Sequence, residues 1–239
     1  MKSRSASPVA STWVQSLSRR LRTLWVTKMV GTTLGISGFF VLYFWVLRSM
    51  AAEAVTVPMT PVDRWIQVSE FALFPYVSLW LYVSLAPALA ANMAALRIYI
   101  AGALVISGLG LATYWIFPTT TPGFGVDWAE YPALQILKAS DMGGNAFPSL
   151  HVAFAAYSAI VIASELRTLD APPWVRGGNW IWCAAIVHST LATRQHVMID
   201  VLGGLVLTFV AVRMCRSRTM EQLFRGTFHP RPVREPGAE

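Results

Sequence analysis

The stretch RQHVMIDVLGGLVLTFVAV, from Arg194 to Val212, places three ionisable side chains directly before a long apolar run. His196 and Asp200 are four residues apart, so on a helix they share one face with their β-carbons about 5–6 Å apart. A carboxylate inside a bilayer costs roughly 2.5–3.5 kcal/mol when it is unpaired. We therefore expect Asp200 to pair with His196, either to hold two helices together or to orient the imidazole for nucleophilic chemistry.

The composition is that of a membrane protein rather than a soluble domain. Of 239 residues, 55% are hydrophobic, 13% charged and 12% aromatic, and the mean hydropathy is +0.50. A bilayer-spanning helix takes about 20 apolar residues, and six segments approach this length. They are Met29–Leu47, Phe71–Ala91, Ile98–Phe117, Ala146–Ser164, Gly177–Thr193 and Val197–Val212. The sequence therefore predicts an all-α integral membrane bundle of six transmembrane helices.

The 19 lysine and arginine residues are divided unequally between the two ends of this predicted bundle. With a cytoplasmic N-terminus, 15 of them fall in cytoplasmic segments, which is the positive-inside pattern. We expect a basic cytoplasmic segment at 1–28, a membrane domain at 29–213 and a basic cytoplasmic tail at 214–239. The net charge of +7 then reflects basic ends beside an anionic leaflet and implies no nucleic-acid partner.

A second polar motif, AFPSLHV from Ala146 to Val152, falls at the same end of the predicted bundle. Proline is favoured in the first turn of a helix, and the N–H groups and positive dipole end of that turn bind anions. Ser149 and His151 lie in this predicted turn, while Gly144 and Asn145 just before it let the backbone approach a ligand. Alone, the motif is equally typical of an ordinary capped helix.

Together the two motifs supply the groups that a phosphate site needs. His196 is a candidate nucleophile with Asp200 as its orienting carboxylate, and His151 is a second histidine at the same depth. A helix N-terminus and Arg194 provide positive charge for phosphate oxygens. This combination predicts phosphoryl chemistry at one face of the membrane.

The order and spacing of these motifs resemble the type 2 phosphatidic acid phosphatase superfamily of membrane lipid phosphatases and phosphotransferases. That family has the pattern KxxxxxxRP, then PSGH, then SRxxxxxHxxxD. Here the second part reads PSLH, Pro148–His151, and the third ends in HxxxD. The resemblance implies a phosphohistidine on His196, an orienting role for Asp200, a general acid in His151 and phosphate binding by Ser149. It implies no metal and no cofactor.

Two departures separate the sequence from that pattern. Ser189 and Thr190 stand at the SR position, and the nearest arginine is Arg194. No KxxxxxxRP occurs, and FPTTTPG, Phe117–Gly123, stands in its place. We expect Arg194 and Lys138 to contact the phosphate instead. The departures are similar to the inositol phosphorylceramide synthase branch, which transfers a head group.

The loop from Pro118 to Asn145 is long, and loops of this length are usually functional or disordered. Trp128, Tyr131, Leu134 and Leu137 recur within it at three-residue steps. This spacing predicts a short helix in the membrane interface. The helix would be a lid over the lipid or a belt of anchoring aromatic residues.

We therefore expect a metal-independent lipid phosphatase or phosphotransferase whose partner is a lipid phosphate in the bilayer. Its predicted location is a bacterial inner membrane, with the site facing the periplasm. Cys183 and Cys215 alone predict neither a disulfide framework nor a cysteine metal site. Two other classes stay open: a transporter whose Asp200 and histidines relay protons, and a catalytically inactive scaffold. Transporters place such groups near the midplane, whereas here they gather at one face.

Overall fold

Helices occupy all six predicted apolar segments in the computed structural model, which describes residues 12–50, 54–139 and 143–215. Nine α-helices and one pair of two-residue strands form in these residues, so the fold is all-α as predicted. The helices are α1 (Trp13–Arg22), α2 (Trp25–Met50), α3 (Pro61–Trp65), α4 (Leu73–Ala88), α5 (Met93–Ile116), α6 (Pro132–Ala139), α7 (Leu150–Thr168), α8 (Pro173–Ala192) and α9 (Met198–Cys215). The start of the predicted N-terminal segment, 1–11, and most of the predicted tail, 216–239, lie outside the described residues.

Five helices of the described chain are long and apolar enough to span a membrane. They are α2, α4 with the short 3₁₀ turn before it, α5, α7 and α9. The 20-residue α8 is not among them, since it carries Arg176, Asn179 and His188. It packs against α7 and α4 within the bundle, and its crossing of the membrane stays a prediction.

Helix α7 begins at Leu150, four residues later than Ala146, the start predicted from the apolar pattern. Ser149 is its N-cap, and the hydroxyl oxygen of Ser149 accepts a hydrogen bond from the Val152 N–H at 3.2 Å. Pro148 therefore precedes the helix, and its predicted place in the first turn is wrong. The residue before a proline is disfavoured in the helical region, so the chain stays non-helical up to the serine cap.

Helices α7 and α9 approach each other closely where the two polar motifs meet. A β-carbon on Gly204 of α9 would lie 2.5 Å from the Ser149 carbonyl oxygen, so only a glycine fits without movement of the backbone. The Ser149 N–H in turn donates to the Asp200 carbonyl at 3.0 Å. This contact places the start of α9 directly on the start of α7, as the spacing of the motifs predicts.

Two short strands connect loops at the end of the bundle where α7 and α9 begin, which we call the site end. Strand β1 (Val55–Thr56), after α2, pairs in parallel with β2 (Thr119–Thr120), after α5. Thr119 also forms an isolated bridge with Asn145, just before α7. Three loops are thus fixed relative to one another around the first turn of α7.

The opposite end is closed by α1, a basic amphipathic helix. It lies within the predicted basic segment at 1–28, where no helix was predicted. Trp13 and Leu17 of α1 pack against the hydrophobic core. Arg20 forms an ion pair with Glu165 of α7. The Lys28 ammonium donates to the Arg20 carbonyl at 2.8 Å and to a carbonyl at the end of α4 at 2.9 Å.

Candidate active site

His196 lies in the turn before α9, with only 5% of its surface exposed. Its Nδ1 is 3.0 Å from the Ala146 carbonyl oxygen and 3.5 Å from Asp200 Oδ2. A backbone carbonyl can only accept, so Nδ1 carries the proton and donates to it. Nε2 then carries the lone pair that a nucleophile needs. The expected orienter, Asp200, is therefore the second neighbour of Nδ1, and a backbone oxygen is the first.

Asp200 is fully buried in the first turn of α9. Its Oδ2 accepts the Val197 N–H at 2.8 Å, which satisfies one of the N–H groups at the start of the helix. Oδ1 has no hydrogen-bond partner among the described residues. The positive end of the α9 dipole favours a negative charge here, so Asp200 is placed to stabilise positive charge on the imidazole of His196.

His151 lies in the first turn of α7 and faces the same cavity as His196. The two imidazole ring centroids are 5.9 Å apart. The ring of His151 stacks on Tyr76 at 4.6 Å and meets the edge of Trp80 at 5.8 Å. These two residues of α4 fix the ring of His151 opposite His196.

The cavity between the two histidines has a volume of about 300 Å³ and lies at the site end of the bundle. Six aromatic side chains of α2 and α4 contribute to its wall. Apart from the two histidines, the polar residues that line it are neutral: Tyr43, Tyr76, Trp80, Tyr114, Thr120, Thr121, Asn145 and Gln195. No three His, Cys, Asp or Glu side chains of the described chain come together as a metal site requires.

The predicted phosphate-binding residues before and at the start of α7 fall into two groups. Asn145 lines the cavity, and its side-chain amide donates to the Tyr43 hydroxyl. Gly144 adopts a positive φ of 84°, a conformation that favours glycine, but it is not among the residues that line the cavity. Ser149 is fully buried as the cap of α7 and does not line the cavity.

Arg194, expected to contact the phosphate, is directed elsewhere in the structure. Its guanidinium donates to the carbonyls of Asp63 at 2.7 Å and Ile66 at 2.6 Å and lies 4.8 Å from the Phe124 ring centroid. Desolvation lowers the pKa of Arg194, and the nearby charge of Asp63 opposes this shift. Arg194 thus holds the loop around α3 and does not line the cavity.

Lys138, the other expected phosphate contact, is also turned away from the cavity lining. Its ammonium donates to the Arg194 carbonyl at 2.7 Å and lies 5.7 Å from the Trp128 ring centroid. Lys138 lies near the end of α6, and from there its side chain reaches the loop before α9. Lys138 therefore joins α6 to that loop.

A short helix, α6, forms in the long loop, as the three-residue spacing predicts, and it contributes one residue to the cavity wall. A 3₁₀ turn at Trp128–Glu130 precedes it. Leu134 is fully buried, and Leu137 contributes to the cavity wall. The Ala133 N–H donates to Glu70 Oε1 at 3.0 Å, which fixes the start of α6 to the start of α4. Both predicted roles, a lid over the lipid and a belt of anchoring aromatic residues, stay predictions.

Sequence reasoning missed two residues that support the site. Asp63 is 1% exposed; its Oδ1 accepts the Met198 N–H at 2.8 Å and its Oδ2 the Thr60 N–H at 2.7 Å. The spacing of Thr60 and Asp63 is a capping-box pattern that could have marked a helix start. Thr119, from the segment that replaces the missing first motif, accepts the Phe147 N–H at 2.7 Å through its hydroxyl.

Comparison with known proteins agrees with the motifs. Residues 98–222 match the family model described as the PAP2 superfamily. The match runs from α5 to beyond α9 and includes both histidines and Asp200. No curated protein and no solved structure matches the chain. Because the family match covers more than half of the sequence, the chain belongs to the PAP2 superfamily.

Proposed function

We propose that this protein is a membrane phosphatase or phosphotransferase that acts on a lipid phosphate through a phosphohistidine on His196. Members of the PAP2 superfamily are generally phosphatases and phosphotransferases. The observation that carries the proposal is the pair of histidines facing one cavity, with ring centroids 5.9 Å apart. His196 has its tautomer fixed through Nδ1, which leaves Nε2 for attack on phosphorus.

The reaction has two steps. In the first, the lone pair of His196 Nε2 forms a bond to phosphorus, and the bond from phosphorus to the leaving oxygen breaks. His151 gives its proton to that oxygen. In the second, an oxygen of water or of an alcohol attacks phosphorus, the bond to Nε2 breaks, and His151 takes the proton of the attacking group. Water as acceptor makes the enzyme a phosphatase, whereas an alcohol makes it a transferase.

An apolar groove beside the site supports a lipid substrate. It has a volume of about 270 Å³, lies between α2, α4 and α5, and shares Phe39, Trp80 and Phe154 with the cavity of the histidines. Along α2 it reaches from Phe39 to Thr27, about 18 Å at the rise of an α-helix. That length is somewhat more than half of the ~30 Å hydrocarbon core of a bilayer, so one lipid chain from one leaflet fits along it.

Transfer of a head group, as in the inositol phosphorylceramide synthase branch, is the second form of this proposal. The observation that favours it is the departure from the family pattern in the site: Ser189 and Thr190 at the SR position and Arg194 bound to the loop around α3. Ser189 and Thr190 are fully buried and donate to carbonyls within α8. The phosphate therefore meets a different set of groups from those of the general pattern.

Turnover by the purified full-length chain tests the proposal. Phosphatidic acid, a prenyl pyrophosphate, and ceramide with phosphatidylinositol are offered in mixed micelles, and acid-labile phosphate on the protein is measured by rapid quench. His196→Ala is expected to abolish turnover and labelling. The matched control is His188→Ala, which removes an exposed histidine of α8 and is expected to leave both unchanged. If the wild type turns over no substrate and carries no acid-labile phosphate, a transporter or an inactive scaffold becomes the better description.

A further inference from the structure

Asp63 contacts the chain on both sides of the proposed nucleophile. Its main-chain carbonyl accepts from the Arg194 guanidinium at 2.7 Å, and its Oδ1 accepts the Met198 N–H at 2.8 Å. Arg194 lies two residues before His196 in the sequence, and Met198 lies two residues after it. One residue of α3 therefore binds both ends of the short turn that carries His196.

The backbone of this turn needs support from other parts of the chain. Arg194 has a φ of 57°, in the left-handed region that residues other than glycine rarely adopt. Such a conformation persists only where the surrounding structure holds it. The carbonyls of Asp63 and Ile66 hold the Arg194 guanidinium. The Lys138 ammonium donates to the Arg194 carbonyl at 2.7 Å. The α3 loop and α6 together supply that support.

The Asp63 carboxylate also caps α9 from a distant part of the sequence. Met198 is the first residue of α9, and the N–H groups of a first turn have no partner within their own helix. Asp63 Oδ1 accepts this N–H, while Oδ2 accepts from the N–H and the hydroxyl of Thr60 at 2.7 and 2.8 Å. With Asp63 only 1% exposed, the carboxylate is held between α3 and the start of α9.

We propose, resting on the function above, that Asp63 is a positioning residue for the reaction at His196. Asp63 does not line the cavity, so it acts through the turn. By holding both ends of the turn, it keeps His196 Nδ1 on the Ala146 carbonyl and the imidazole at the cavity wall. Loss of this support is expected to slow the attack on phosphorus and to leave substrate binding unchanged.

Single-turnover kinetics of the full-length chain in mixed micelles separate positioning from folding. The probe is whichever of phosphatidic acid, a prenyl pyrophosphate, or phosphatidylinositol with ceramide the wild type turns over fastest. With enzyme in saturating excess, the rate constant for release of the leaving group does not depend on the folded fraction. Asp63→Ala is expected to lower this rate constant about 100-fold, the cost of a displacement of about 1 Å between reacting groups. The enzyme concentration for half-saturation, corrected for the folded fraction, is expected to stay the same.

Two further variants accompany Asp63→Ala. Asp63→Asn keeps an acceptor oxygen for the Met198 N–H but loses the charge, so its rate constant is expected to fall only about tenfold. Asp127→Ala is the matched control, because the exposed Asp127 also caps a short helix, through the Ala129 N–H at 3.0 Å, and does not contact the turn before α9. Its rate constant is expected to equal that of the wild type.

Each outcome decides the matter. A wild-type rate constant in Asp63→Ala, whatever its midpoint of thermal unfolding, overturns the inference and leaves the phosphohistidine function standing. Equal rate constants in Asp63→Ala and Asp63→Asn also overturn it, as does a change confined to half-saturation. If Asp63→Ala does not fold, a wild-type rate constant in Asp63→Asn overturns it. If the wild type turns over no substrate and His196 carries no acid-labile phosphate, both the inference and the proposed function fail.

Discussion

His196 has two acceptors near its Nδ1, the Ala146 carbonyl at 3.0 Å and Asp200 Oδ2 at 3.5 Å. They perform different tasks. The carbonyl fixes the tautomer whatever the charge of the ring. In the proposed reaction, the carboxylate stabilises the positive charge that the ring acquires when Nε2 bonds to phosphorus. A variant that keeps the Ala146 carbonyl and removes the charge of Asp200 distinguishes the two contributions.

Asp200→Asn is that variant. Asparagine is also a favoured helix cap, so the start of α9 is expected to stay folded. We expect kcat to fall by about 10- to 100-fold, the value of a hydrogen bond to a charged group, with little change in KM. Steady-state kinetics on the best substrate measure both. A loss as complete as that of His196→Ala would show that Asp200, and not the Ala146 carbonyl, holds the tautomer.

Arg194→Ala tests whether this arginine supports the loop around α3 or binds substrate. Its removal leaves the carbonyls of Asp63 and Ile66 without their donors, at about 1–3 kcal/mol for each carbonyl that stays buried. We expect a lower midpoint of thermal unfolding in detergent and an unchanged KM. Arg64→Ala, an exposed arginine of α3, is the control. A higher KM with an unchanged midpoint would restore the predicted phosphate contact.

Local spacing in the sequence was enough to predict that His196 and Asp200 lie close together. The orientation of Arg194 depends on residues that are distant in the sequence. The four-residue interval predicts that His196 and Asp200 are neighbours, and their side chains are 3.5 Å apart although His196 lies in the turn before α9. The partners of Arg194 are 131 and 128 residues away in sequence. Nothing near Arg194 indicates them, so its direction could be learned only from the fold.

At the scale of elements, the packing of α2, α4 and α5 sets the space in the groove that is proposed to hold a lipid chain. Its α2 wall contains glycine, and a β-carbon on Gly35 would meet no atom within 4 Å. A side chain there can therefore project into the groove without disturbing the helices. The space it would occupy is the space proposed for the lipid chain.

Gly35→Leu is expected to select against long chains. A leucine side chain that displaces two methylenes of a bound chain costs about 1.6 kcal/mol, or roughly tenfold in kcat/KM. We expect this loss for a palmitoyl substrate and little loss for an octanoyl one with the same head group. Gly38→Leu is the matched control on α2, since Gly38 has equal space but lies outside both cavities. Equal losses in the two variants would place the chain elsewhere.

The observed helix boundaries agree with the predicted ones where a segment is uniformly apolar. They differ from the predicted ones where loops contact one another. Apolar length predicted six segments in which helices form, and five of these helices are long and apolar enough to span a membrane. The predicted start of α7 was wrong because it left out the restriction that Pro148 places on Phe147. The Phe147 N–H also donates to the Thr119 hydroxyl of a different loop. Helix α1 was missed because its apolar residues, such as Trp13 and Leu17, are spaced among basic ones and pack on the bundle.

At the scale of the whole molecule, the site end and the end closed by α1 must face opposite sides of the membrane. The positive-inside pattern predicts that α1 is cytoplasmic. A single added cysteine tests this, because Cys183 and Cys215 are buried. With a membrane-impermeant maleimide on intact bacterial cells, we expect Ala129→Cys, exposed before α6, to be labelled. Ser18→Cys, exposed on α1, should react only after permeabilisation. The reverse result would invert the topology.

The contact of α9 with α7 at Gly204 limits how the enzyme can diversify. His151 lies on α7 and His196 in the turn before α9, and the absence of a side chain at Gly204 allows the close spacing of these two helices. A change at this contact would shift His196 and Asp200 relative to His151. New substrate preferences are therefore expected to arise in the groove or in α6, where residues can vary without moving His151, His196 or Asp200.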